Sequence, residues 1–210
     1  MKKIIGLFLL IAMPFLANAA QYEEGKHYTV VSDKASKKPE LREFFSFYCP
    51  HCFSFEPFMA DIKKQLPADV AFERNHVDFL RMAPEDIQFM LTKGLVVAQQ
   101  LDMEEKLVGA MFNYVQVQRA AFSSEKDLRN LFVLNGVDGE QFDKLMKSFN
   151  VNSQAKKMKK TQDYYGKRGA IKGVPAVIVN GKYLINMQEL DRNDLKGDYN
   201  KLVKHLLSLG

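Results

Sequence analysis

The feature that most constrains this chain is a junction. Leu41–Tyr48, rich in aromatics and reading as a buried strand, runs without a break into Cys49-Pro50-His51-Cys52. From Cys52 to about Leu66 the pattern is helical, so the two thiols fall on a helix's first turn, directly after a core strand. Pro50 suits an opening helical position, where its missing N–H costs nothing. Pro57 is expected to kink the helix. Leu66-Pro67 closes it, and Val70–His76 reads as the next strand.

Around this junction the chain is organised as α/β. Tyr28–Val31 reads as a short strand and Ser32–Pro39 as a polar turn. From about Pro84 to Tyr165 the signal is helical, in four or five segments, too many for one crossover connection. Ser124-Glu125-Lys126-Asp127 resembles a capping box, Asn135-Gly136 a helix stop and Asp138 another N-cap. The β pattern returns at Pro175–Val179 and Lys182–Ile185, joined by Asn180-Gly181, a strong hairpin signal. A last helix is expected at Asp198–Leu207. These elements predict an α/β domain carrying an inserted helical block, with no repeat and no low-complexity linker.

The amino terminus reads as an address. Met1-Lys2-Lys3 precedes a 13-residue apolar run, Ile4 to Leu16, and then Ala17-Asn18-Ala19. This is the form of a secretory signal (residues 1–19) cleaved after Ala19, too short and too interrupted by Pro14 to act as a membrane span. It points to a bacterial periplasm, where thiols meet oxidising conditions. The 30 basic and 25 acidic residues leave +5, or +3 without Lys2 and Lys3, too small an excess to argue for nucleic acid.

The two cysteines are the only ones in the chain, which excludes a disulfide-rich scaffold and any site needing three or four thiolates. On a helix's first turn the leading sulfur meets unpaired N–H groups and the positive end of the helix dipole, both of which favour thiolate. The dipole alone supplies roughly 0.3–1 kcal/mol, so stronger acidification needs further donors, and His51 is well placed to be one. Three duller readings compete. A structural staple closing so short a loop yields only about 2 kcal/mol, against roughly 4.7 for a hundred-residue loop. Zinc would need ligands that His27, His76 and His205 do not space correctly, so no metal is expected. Inert buried thiols would not stay reduced in an exported protein. Redox chemistry at Cys49 and Cys52 is the reading the spacing favours. Gly173-Val174-Pro175 marks a strand start, and by itself Pro175 would be expected trans, since only about 5–6% of such bonds are cis.

Glu43-Phe44-Phe45-Ser46-Phe47-Tyr48 with Cys49-Pro50-His51-Cys52 resembles the active-site stretch of the DsbA family of periplasmic thiol:disulfide oxidoreductases. Ala20-Gln21-Tyr22 and Gly25-Lys26 resemble that family's mature start. Gly173-Val174-Pro175 and Val179-Asn180-Gly181-Lys182-Tyr183 resemble its cis-proline loop and hairpin. The resemblance implies a thioredoxin-like fold made of residues 20–80 and 163–210, with an all-helical domain inserted at 81–162. It implies an acidic first thiol and an oxidising couple, and a cis bond before Pro175, where the Val174 backbone would pair with an extended substrate. Glu43 takes the place of the buried acid beneath the active site and Glu56 that of the acid on the active-site helix, both as proton carriers for Cys52. A solvated helix position is the competing reading of Glu56. No bound cofactor is implied beyond the redox-active disulfide.

The expected partners are reduced exported polypeptides and, as the resemblance implies, a membrane-bound, quinone-linked reoxidase of the DsbB type, with the protein a monomer. An isomerase or reductase on the same fold and a redox-silent chaperone are the rival readings. Arg42 departs from the apolar residue usual in such a strand, and pairing with an acid would account for it. Lys156-Lys157-Met158-Lys159-Lys160 reads as a solvated helix face. Phe44, Phe45, Phe47, Phe53, Phe55 and Phe58 read as core or as an apolar groove.

Overall fold

The computed structural model describes residues 22–210, so the signal-sequence expectation lies outside the described residues. The strands are β1 (Tyr28–Val30), β2 (Glu40–Phe45), β3 (Ala71–His76), β4 (Ala176–Val179) and β5 (Tyr183–Ile185). The helices are α1 (Pro50–Gln65), α2 (Glu85–Gln100), α3 (Glu104–Phe112), α4 (Glu125–Leu134), α5 (Gly139–Lys147), α6 (Phe149–Lys167) and α7 (Leu195–Ser208). They form one five-stranded mixed sheet, in the order β1-β5-β4-β2-β3, with only β2 and β3 parallel. Helices α2 to α6 intervene between β3 and β4, as the helical run predicted. No helix among the described residues is long and apolar enough to cross a membrane.

β2 is an interior strand, between β4 and β3, and buries apolar side chains on both faces. Leu41 and Phe45 point to one side and Phe44 to the other, all with no exposed surface, each worth about 1.5–3 kcal/mol on burial. Leu41 joins Met59 and Ile62 of α1 and Leu202, Val203 and Leu206 of α7 in one cluster. Phe44 joins Tyr165 of α6 and Ile178 of β4 on the opposite face. Phe45, Phe47 and both cysteines belong to a third cluster, continuous with the interior of the helical block. The reactive turn is therefore built on the seam between sheet and helices. α6 runs to Lys167, and near its end Tyr165 packs against Phe44 of β2 and Ile178 of β4.

The strand leading to the cysteines ends at Phe45, three residues earlier than its aromatic content predicts. Phe47 and Tyr48 are buried in a turn instead, in which the Cys49 N–H donates to the Ser46 carbonyl at 3.0 Å. α1 runs unbroken through Pro57. Asn180 (φ 51°) and Gly181 (φ 65°) make the expected tight hairpin; both left-handed angles suit this dipeptide. Arg42 does pair with acids, Glu40 at 2.9 Å and the neighbouring-strand Glu73 at 3.8 Å.

Candidate active site

Cys49 is the N-cap of α1 and Pro50 its first residue. Both cysteines are free thiols, Cys52 without exposed surface and Cys49 nearly so. The Cys52 backbone N–H donates to the Cys49 sulfur at 3.1 Å. The thiol of Cys52, that N–H, the N–H of His51 and the charge of His51 together pull the Cys49 thiol down to about 6, against burial. The first of these is the largest single contribution. The reverse effect pushes Cys52 well above the ordinary thiol range, with burial and the Glu43 carboxylate adding to it. The two sulfurs are thus chemically unlike: one ionises near neutrality and the other stays protonated.

Val174 lies across from the pair. The Cys49 thiol donates to its carbonyl at 3.3 Å, a contact open to the thiol but not to the thiolate. The peptide bond between Val174 and Pro175 is cis, against the trans state that the base rate alone favours and in line with the resemblance. His51 is exposed on the first turn of α1, so its ring is free to face a docking chain.

Beneath the pair is a buried charge group that the sequence showed only in part. Glu43 on β2 is fully buried, and burial pushes its carboxyl up to about 7 even though the Arg74 charge opposes this. Arg74 on β3 stands in register with it, its Nε 3.2 Å from a Glu43 oxygen but without hydrogen-bond alignment. The same guanidinium pairs with Glu56 of α1 and stacks 4.1 Å from the Phe45 ring centroid. Glu56 is thus half-buried and paired, its side chain 26% exposed. Glu43, Glu56 and Arg74 line a crevice of about 350 Å³ between α1 and α3, whose apolar walls include Phe53, Phe72 and Phe112. Arg74 escaped the sequence reading: β3 is mostly polar, with Glu73 exposed beside it, and nothing local marks Arg74 as one of its three buried residues.

A sheet-borne, inward-opening helix whose first turn carries two thiols of opposite acidity defines a thiol:disulfide oxidoreductase of thioredoxin fold. The DSBA-like thioredoxin domain family matches residues 40–195. Thiol:disulfide interchange protein DsbA of Haemophilus influenzae is 37% identical over 213 residues, covering 99% of both chains. That of Escherichia coli K12 is 37% identical over 199 residues, covering 93% of this chain and 91% of its own. Among solved structures, DsbA from Proteus mirabilis in complex with a non-covalently bound peptide superposes with a TM-score of 0.80 at 30% identity, covering 90% of this chain and 100% of that one. DsbA from Klebsiella pneumoniae does so at 0.78 and 30%, with the same coverage. The chain belongs to the DsbA family of thiol:disulfide interchange proteins.

Proposed function

We propose that this protein works as an oxidant, donating a Cys49–Cys52 disulfide to reduced polypeptides newly exported to the periplasm. The observation that carries this reading is the acidity of Cys49, held near 6 by donors from Cys52 and His51. A substrate thiolate attacks the Cys49 sulfur, the Cys49–Cys52 bond breaks, and Cys52 leaves and takes up a proton. A second substrate thiolate then attacks the substrate's own sulfur in the mixed disulfide, and Cys49 leaves as a stable thiolate. The substrate is oxidised by two electrons and the protein ends as the dithiol. An easily ionised leaving group speeds that last step and makes the reduced state the thermodynamic sink.

Within this reading Cys52 needs a proton on release, and Glu43, which ionises near 7 and so exchanges its proton at neutral pH, is suited to supply one, with Glu56 beside it. Pro50 sets the first turn and His51 stabilises the anion. Val174 and Pro175 present a backbone edge opposite Cys49 for an extended client, in keeping with the peptide bound by the Proteus mirabilis relative. Reoxidation falls to a DsbB-type, quinone-linked membrane partner. The division into 20–80 with 163–210 and an inserted 81–162 belongs to the same reading, as do the cleaved signal at 1–19 and a monomeric state.

The test is oxidation of a reduced two-cysteine peptide by the disulfide form. Cys49→Ser should abolish it, and Cys52→Ala should accumulate a mixed disulfide at Cys49. Peptide oxidation by the Cys49→Ser protein at the parent rate would overturn the assignment.

A further inference from the structure

The turn that presents Cys49 is gripped from outside itself. Phe47 and Tyr48 are its central pair, and side chains occupy both backbone groups of Phe47. Its N–H donates to His76 Nε2 at 3.3 Å, and its carbonyl accepts from Gln116 Nε2 at 2.7 Å. Because Nε2 accepts, the imidazole proton sits on Nδ1, 2.8 Å from Thr92 Oγ1. That hydroxyl donates onward to the Gln88 carbonyl at 3.2 Å. Complete burial and the Arg74 charge hold His76 neutral, down to about 3. Its ring stacks on Phe47 with centroids 4.9 Å apart.

Thr92 and Gln88 belong to α2. Gln116 sits on the widened π-type turn Asn113–Val117 that continues α3, and Arg119 leaves that turn with φ at +55°. One arm of the grip comes directly from the helical block, and the other comes through a β3 side chain that leans on it. Neither arm touches a sulfur.

We propose that Gln116 is a positioning residue for the dithiol chemistry. By holding the Phe47 carbonyl it keeps residues 46–49 in the one conformation that aims the N–H groups of His51 and Cys52 at the Cys49 sulfur. This rests on the reading of Cys49 as the reacting thiol. A neutral thiol needs little from those donors, whereas a thiolate is stabilised only while they converge on it. A turn ordered during folding has no ordering left to do when the sulfur ionises. Freed of its grip, the turn has to be ordered by the anion, and the acid weakens.

The experiment compares the reduced wild type with Gln116→Met, which keeps length and bulk but cannot donate. Gln116→Ala is a second variant, and Val117→Ala, at an exposed neighbour on the same turn, is the control. Thiolate absorbance against pH, equilibrium with a glutathione buffer and the urea midpoint are read for each. The Gln116 variants should make Cys49 an about three- to tenfold weaker acid, the range of one lost hydrogen bond. The couple should become less oxidising by a similar factor, and Val117→Ala should change neither. A wild-type thiol that ionises near 6, and that neither Gln116 variant moves, overturns this proposal alone. A wild-type thiol ionising like free cysteine overturns the reacting-thiol reading and this one with it.

Discussion

Glu43 and Arg74 face each other across the parallel pair β2–β3, in register and 3.2 Å apart, with the carboxylate wholly out of water. Two opposite charges in the interior are a poor source of net stability, because their attraction has to offset two desolvation costs. Their placement under the cysteines, with Glu43 acting electrostatically on Cys52, gives them a chemical use.

Removing the cation should be costly in a pH-dependent way. Arg74→Met leaves Glu43 buried without its counter-ion, a loss of about 3–5 kcal/mol when the carboxyl is charged. Glu43 ionises near 7 beside Arg74 and higher still without it, so the variant escapes part of this cost by taking up a proton, and the loss should be greater at pH 8 than at pH 5. Urea unfolding at the two pH values checks this, and equal losses at both would contradict it.

Glu43 also sets a stability slope. Its folded-state proton is held more tightly than in the unfolded chain, so between the ordinary carboxyl value of 4.5 and about 7 the folded state carries the extra proton. Stability from this group is therefore highest below that window and falls as pH rises through it, by roughly 3 kcal/mol in all. In a Cys49→Ser/Cys52→Ser background, which removes thiol titration, Glu43→Gln should flatten this fall. A slope that persists unchanged would assign it to another group.

The two sulfurs should alkylate very differently. Reduced protein at pH 7 should lose Cys49 to iodoacetamide quickly and Cys52 hardly at all, as mass mapping of the modified peptides would show. Cys52→Ala removes the largest contribution to the Cys49 acidity, so its Cys49 should titrate clearly above 6 while staying reactive. A Cys49 in Cys52→Ala that still titrates at the wild-type value would show that the second thiol is not the main donor.

His51 should matter less than Cys52. Its backbone N–H survives a side-chain change such as His51→Leu, and the charge of its ring is the smallest of the contributions to Cys49 acidity. His51→Leu should raise the Cys49 value by less than one unit, less than tenfold in the acid constant. A larger shift than that of Cys52→Ala would reverse the order of the two effects.

Much of this site was legible from the chain alone because its parts are local. The Cys-x-x-Cys spacing, the N-terminal proline and the strand feeding directly into the helix are neighbours in sequence, and turn chemistry marked the Asn180-Gly181 hairpin. The resemblance added the loop at Val174 and Pro175, some 125 residues away. What stayed hidden was carried by pairings across the fold. Arg74 gains meaning only from its register opposite Glu43, and Glu56 only from the α1 face that turns it to the same guanidinium. His76, singled out only as an unsuitable metal ligand, becomes a neutral acceptor for the Phe47 N–H because Thr92 holds its other nitrogen. Gln116, on an otherwise unremarked helical stretch, gave no signal at all. Local sequence determined the thiol pair and its place on the first turn of a helix, since capping and spacing act over a few residues. The tertiary structure alone decided how deeply the pair is buried and which charges and carbonyls surround it. The Val174 carbonyl, the Glu43–Arg74 pair and the side chains that hold the turn come from strands and helices far apart in the chain.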